Sequence, residues 1–473
     1  MSALAPQELA ERVLALSRSD GCVVVAQETS TVNLRFASNT LTTNGEIRGR
    51  SLTVVATVDG AEGTASGVVS RSNVDPAQLE QLVRAAELAA EAAGPAQDAR
   101  PLVTPEQARV GAGAAAAEQA WSEPPQVTTS AVMALFAPAL GAAFDQARAE
   151  GVELFGYAEH DLGTSYLASS TGLRLRHAQP AGRFELTAKS HGRTRSTYVG
   201  TATREFADVD MPALYSEVTR RLGWMERRVE LEPGRYDTVL PPTAVADLMV
   251  ALYWAASARE AADGRTVFSR AGGGTRVGDT LAEVPVDLYS DPADPRVACE
   301  PFVLATASGP TSSVFDNGLP LGRTAWIADG RLSALLQTRA SADQTDLPVT
   351  PAVDNLLMAV PGASGDLDEL VAGISGRALL LTCLWYIREV DPQTMLLTGL
   401  TRDGVHVVQD GEVVGTATNF RFNESPVDLL GRVAAAGDGQ QCLAREWGDY
   451  FTRTVMPGLL VEGFNMSTVS PAS

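Results

Sequence analysis

The chain has few side chains able to cross-link it or to clasp an ion. Its 473 residues hold four cysteines, Cys22, Cys299, Cys383 and Cys442, and four histidines, His160, His177, His191 and His406. The cysteines are scattered and form no Cys-x-x-Cys pair, which argues against a disulfide framework or a structural zinc site. No two histidines stand three or four residues apart, the spacing that would put a ligand pair on one helix face. No run of 18 apolar residues is present to span a bilayer. Met1 to Glu8 lack a basic region followed by an apolar core, so no secretory leader is expected and the cytoplasm is the expected compartment. Lys and Arg total 37 against 57 Asp and Glu, a net charge of −20 without basic runs. That balance argues against a nucleic-acid surface, where clustered cations must displace counterions. It reads instead as an acidic, solvated exterior. No Gly-x-Ser-x-Gly nucleophile elbow occurs, and Gly272-Gly273-Gly274 lacks the Lys-Ser/Thr that completes a phosphate loop.

What is present suits a globular protein of two or three domains, with 45% apolar residues to build its cores. Residues 6–19 carry Leu9, Val13, Leu14 and Leu16 at helical spacing behind Pro6. Strands are expected at Cys22–Val25, Asn33–Ala37, Ser51–Val58 and Thr64–Val69, with a hairpin at Asp59-Gly60. Asp75 and Pro76 then read as the N-cap and first residue of a long helix. The Ala-, Gly- and Pro-rich stretch 93–125 reads as a connection with one helical piece at 105–120. A helix at 129–150 precedes an antiparallel meander at Val152–Glu159, Thr164–Ser169, Leu173–Ala178, Phe184–Ser190 and Arg195–Gly200. A further helix covers 211–229. Glu232-Pro233-Gly234 is the expected boundary between domains 1–230 and 231–473, the meander occupying about 126–230. Beyond it, Asp329-Gly330, Asp403-Gly404 and Asp410-Gly411 are hairpin cues. The expected class is α+β: a mixed N-terminal domain with an antiparallel sheet, then a β-rich barrel- or sandwich-like domain.

Several segments in fixed order carry a family likeness. The strand Tyr236–Leu240 runs through Pro241-Pro242 into an apolar helix at Thr243–Glu260, followed by Gly264–Ser269. Earlier come Asn33–Asn39, Gly49–Leu52 and Asp59–Gly63. Later come Phe315–Thr324 with Ile327–Leu332, Gly404–Gly415 with Asn419–Phe422, and the tail Met456–Phe464. Over residues 10–470 this set resembles the TldD/PmbA (TldE) family of intracellular peptidases. The resemblance implies a mixed N-terminal half, a β-dominated C-terminal half, and a metal-bearing branch that pairs with a metal-free branch around a chamber. Implied substrates are modified peptide precursors, antitoxin-like proteins and small peptides. The zinc-bearing branch places a His-Glu-x-x-x-His helix where this chain has Val250 to Ala255, and adds a late cysteine within Cys-Gly-Lys. Here Val250–Ala255 contain no His, Glu or Cys, and Cys442 stands in Gln441-Cys442-Leu443-Ala444. The chain therefore resembles the metal-free PmbA/TldE branch.

No catalytic residue and no metal ligand is assigned to this chain, and zinc is expected in a TldD-like partner. The helix over 243–260 is apolar on most faces, which first suggests a core helix. Tyr253 and Trp254 are its candidates for a chamber wall that faces a partner. Asn317 and Gly318 are candidate contacts for an extended peptide, and Arg323 for a peptide carboxylate. The alternatives are an ordinary turn and a surface arginine. Cys383, in Thr382-Cys383-Leu384-Trp385, reads as a buried and inert thiol rather than a nucleophile. The expected function is the non-metal subunit of a heteromeric zinc metallopeptidase, shaping the substrate channel and supporting its partner. Rival expectations are a self-sufficient amide hydrolase using the same cleft, and a homo-oligomeric peptide-binding scaffold.

Overall fold

The computed structural model describes residues 4–110 and 112–470. Met1 to Ala3, part of the leader reading, and Gly111, inside the Ala-rich stretch, lie outside the described residues. Six antiparallel strands make the first sheet: β1 (Gly21–Ala37), β2 (Thr40–Gly60), β3 (Gly63–Ser72), β4 (Glu153–Ser169), β5 (Arg174–Ser190) and β6 (Arg195–Thr203). Their order is β3-β2-β1-β4-β5-β6. The unbroken apolar run Cys22–Val25 follows from burial on both faces. Cys22 and Val24 pack beneath the helices Pro6–Leu16 and Leu79–Ala92. Val23 and Val25 pack against Phe302, Val314 and Phe315 from the second half of the chain. Farther along the sheet, Phe36, Leu154 and Phe184 meet Phe136 and Phe144 of the helix Phe136–Glu150 and Val218 of the helix Met211–Trp224.

The first sheet has longer strands than the sequence suggests. Cys22–Val25 and Asn33–Ala37 are one strand, and the five expected meander strands are three. Pro180 sits inside β5 because β6 reaches only the Gly182↔Thr203 pair, so on that side no ladder partner is needed.

The second half is a closed barrel stacked on an open sheet. The strand β7 (Gly234–Leu240) pairs with Arg377–Asp391 on one side and with Leu459–Ser470 on the other. Leu396–Gln409 pairs with Arg377–Asp391, and Asn419–Glu424 links Leu396–Gln409 to Leu459–Ser470, so the ring closes without an edge. Asp329-Gly330 and Asp410-Gly411 are hairpin turns as expected. Asp403-Gly404 is not: both residues have positive φ, 58° and 125°, inside the strand Leu396–Gln409. There the register against the neighbouring strand slips between Leu381 and Cys383, which makes the pair a bulge. The open sheet has the order Arg331–Leu332, Thr324–Ala328, Asp287–Ser290, Leu356–Ala359, Thr454–Met456, Gln440–Cys442. The expected helix over 243–260 is two helices, Pro242–Trp254 and Ala258–Ala262. The first is the filling between layers. Its side chains share one cluster with Trp326, Leu356 and Met358 of the open sheet and with Leu379, Val405 and Phe422 of the barrel. No helix among the described residues is long and apolar enough to cross a membrane.

Candidate functional site

The filling helix begins with Pro242 at its first position, where a missing N–H costs nothing. Nearly every residue from Ala244 to Tyr253 is buried. The one acid among them, Asp247, is fully buried. Its Oδ1 accepts the Glu446 N–H at 2.8 Å, and its backbone carbonyl accepts the Trp447 Nε1–H at 2.8 Å. Oδ2 has no hydrogen-bond partner in the protein. Burial pushes the Asp247 carboxyl well above the usual range, with the nearby Glu446 charge adding to the effect and the Glu446 N–H opposing it. The protonated form is favoured.

Asp247 thereby anchors a loop, residues 443–453, that touches every layer. Leu443 O accepts Thr243 Oγ1–H at 2.6 Å. Arg445 lies between the rings of Tyr198 from β6, at 4.1 Å, and Trp385 from the barrel, at 4.6 Å. It donates to Cys383 Sγ at 2.8 Å and Asp403 Oδ2 at 3.2 Å. Asp403 Oδ1 accepts Ser196 Oγ–H from β6 at 2.7 Å, so the cation and the bulge together join both halves. Burial pushes the Cys383 thiol up to about 12, and Arg445 only partly offsets this. A thiol held in that form is no nucleophile.

The next residue shapes the surface. Glu446 accepts the backbone N–H groups of Tyr386 and Ile387 at 2.9 and 3.2 Å, and pairs with Arg388 at 3.1 Å. Between Trp385 and Arg388 the strand slips register, and Tyr386 adopts a left-handed φ of 53°. A bulge of this kind re-aims a side chain, here throwing Tyr386 outward to 56% exposure. Trp447 packs edge-on against Trp254 with ring centroids 5.2 Å apart. Asp449 closes the loop onto β5 through Arg183 at 2.5 Å. Trp254, Tyr386 and Tyr450 are all exposed on this side, Tyr450 at 76%. Beside Trp254 lies a groove of about 530 Å³ whose apolar walls include Ile387, Met395 and Trp447.

The sequence candidates are dispersed. Tyr253 is in the core, its hydroxyl donating to Val353 O at 2.9 Å and accepting Val353 N–H at 2.7 Å. Asn317 is buried and cross-braces its own loop through Ala305 N–H, Ala305 O and Val314 O. Gly318, at φ 89°, leaves only 2.6 Å between an imagined Cβ and Leu173 Cδ1 of the first half. Arg323 covers the Tyr289 ring at 4.0 Å. Of the five, Trp254 alone borders the groove. Asp247, Arg445, Glu446 and Trp447 escaped the sequence reading. Their available signal was one acid in an apolar helix, and an Arg-Glu-Trp triplet just after Cys442.

The thiol and imidazole candidates for a zinc ligand are engaged separately by other groups. Cys442 Sγ lies 3.5 Å from Pro242 O and 3.4 Å from Thr454 Oγ1, and burial pushes its thiol up to about 12. His406 is buried between Thr382 and Thr416, and His160 between Thr128 and Arg204 O. Among the described residues no group of three or more His, Cys, Asp or Glu is placed to hold a metal ion.

Residues 233–468 match the PmbA/TldA metallopeptidase C-terminal domain family. Three solved structures share the fold over almost the entire chain. TldE from Thermococcus kodakarensis aligns with a TM-score of 0.74 at 15% identity, covering 97% of this chain and 99% of that one. A candidate modulator of DNA gyrase from Bacteroides thetaiotaomicron gives 0.73 at 14% identity, covering 98% and 99%. A candidate gyrase modulator from Thermotoga maritima gives 0.73 at 15%, covering 97% and 99%. No curated protein sequence matches the chain.

Proposed function

From the premise that this chain belongs to the PmbA/TldD family through residues 233–468 and folds throughout as TldE does, we propose that it is the metal-free subunit of a two-component zinc metallopeptidase. In this reading a TldD-like partner holds the zinc and performs the hydrolysis. This chain shapes the channel through which peptides or modified peptide precursors reach it. The single observation behind the reading is chemical. The helix turn Val250–Ala255, where the zinc-bearing branch keeps its histidines, is aliphatic and aromatic here, and Cys442, at the other end of that helix beside Pro242, is a buried thiol held by Thr454. Zinc hydrolysis needs about three protein ligands, an open position and a base near the bound water. None of these is provided at that turn. The exposed aromatics around loop 443–453 suit a partner- or peptide-facing wall, because such surfaces concentrate Trp, Tyr and Arg. Four buried, unpaired cysteines agree with a reducing cytoplasm.

The test uses the full chain, alone and mixed with a family member that carries the His-Glu-x-x-x-His helix. Elemental analysis is expected to find no stoichiometric zinc in the lone chain, and peptide cleavage is expected only in the mixture. Zinc at one equivalent together with cleavage by the lone chain would overturn the reading.

A further inference from the structure

We infer that the groove beside Trp254 is a binding subsite for peptides presenting a bulky apolar side chain next to a basic residue. The apolar part is set by Trp254, Ile387, Met395 and Trp447, which line part of an open groove of about 530 Å³. This is room for one large side chain and its flanking backbone. Trp254 is 41% exposed, yet its ring is fixed by edge contacts with Trp447 at 5.2 Å and Phe451 at 6.2 Å. A rigid, half-open aromatic loses little entropy on receiving a partner.

The charge of the occupant follows from the rim. Glu260 and Glu389 border the groove, and among the described residues neither forms an ion pair with a cation. Burial raises the Glu389 carboxyl, and Asp391 and Glu260 raise it further, the mark of carboxylates crowded without a counter-charge. Arg265, the rim's cation among the described residues, is engaged at 2.8 Å by Asp263. Two acids of the neighbouring loop are matched: Glu446 by Arg388 and Asp449 by Arg183. An unmatched acidic edge on an apolar trough favours a Lys or Arg, whose aliphatic stem can lie along the trough while its charge meets the carboxylates. The chain's net charge of −20 would draw such a peptide in.

The subsite belongs to this chain alone and needs no zinc-bearing partner, so it stands or falls separately from the subunit role. Fluorescence anisotropy with the full chain tests it, using labelled Gly-Phe-Lys-Lys-Gly, Gly-Phe-Glu-Glu-Gly and Gly-Ala-Lys-Lys-Gly. The Phe-Lys-Lys peptide is expected to bind roughly tenfold more tightly than either control. Trp254→Ala is expected to abolish the Phe-over-Ala preference. Glu389→Lys, an exposed change without a packing role, is expected to weaken the Lys-Lys peptide by about fivefold or more. Equal binding of all three peptides, no binding of any, or a preference that survives both substitutions would overturn the inference. Binding that persists while the mixture with a zinc-bearing partner shows no cleavage would sink the subunit reading and leave the subsite standing.

Discussion

Asp247 and His406 are buried titratable groups that resist charging, and they act on opposite limbs of the pH–stability curve. His406 is lowered to about 3 by burial, with Arg221 and Arg220 adding repulsion. Its folded value lies below the unfolded value of about 6.5, so its contribution is complete above that pH and is lost as the solution is acidified through it. The loss reaches a few kcal/mol, in order of magnitude, by about pH 3. His406→Gln is expected to flatten this acid limb in thermal melts. Asp247 has the reverse sign. Its folded value is raised, so its contribution is complete below the ordinary carboxylate range and declines as pH rises through the raised value. Asp247→Asn keeps the shape without the charge. Its melting temperature relative to the parent is expected to rise as pH climbs above the ordinary carboxylate range. A difference that stays constant with pH would show that Asp247 is already ionised in the native state.

At the scale of elements, two close fits carry the architecture. The helix Leu79–Ala92 lies directly on β3 at Gly67, where an added Cβ would come within 2.2 Å of Ala86 O and 2.3 Å of Ala90 N. Both obstacles are backbone, so the helix as a whole would have to lift. Gly67→Ala is expected to cost ~3 kcal/mol in urea unfolding. The bulge at Tyr386-Ile387 depends on Glu446, which accepts both of its N–H groups. Glu446→Ala is expected to cost ~2 kcal/mol and to speed hydrogen exchange at those two amides above all others in the barrel. These fits explain what could be read in advance. The turns at Asp329-Gly330 and Asp410-Gly411 are local chemistry and were legible, and so was the capping role of Asp75, although it caps a 3-10 turn at Pro76–Gln78 and the long helix begins only at Leu79. The break at residues 26–32 of β1 in the sequence reading arises because the strand passes there from one pair of covering helices to another and turns polar. Asp403-Gly404 carried a turn signature but serves a bulge, a distinction made by the strand beside it. The site was less legible still. Loop 443–453 has no periodicity, and its importance lies in partners some sixty to 250 residues away, such as Cys383 and Tyr198 for Arg445.

At the scale of the molecule, the two halves are knit rather than tethered. Val23, Val25 and Leu167 of the first sheet share a core with Phe302, Val314 and Phe315. Arg445 adds a cation held between aromatic rings of both halves, over Asp403. One cooperative transition is therefore expected in calorimetry. Arg445→Ala removes the cation held between the Tyr198 and Trp385 rings and leaves Asp403 only the more distant Arg402 at 3.8 Å, and is expected to split that transition or lower its midpoint by several degrees. An unchanged, single endotherm would show that the shared apolar core alone couples the halves.

The ring in the second half also sets a timetable for synthesis. Its seam is the strand Leu459–Ser470, which lies between β7 and Asn419–Glu424. The six-stranded sheet is complete once residue 203 emerges from the ribosome, whereas the barrel must wait for residue 470. For that interval of translation the greasy filling helix, made more than two hundred residues earlier, has only half its walls. A nascent chain arrested before the seam is thus a natural client for chaperones.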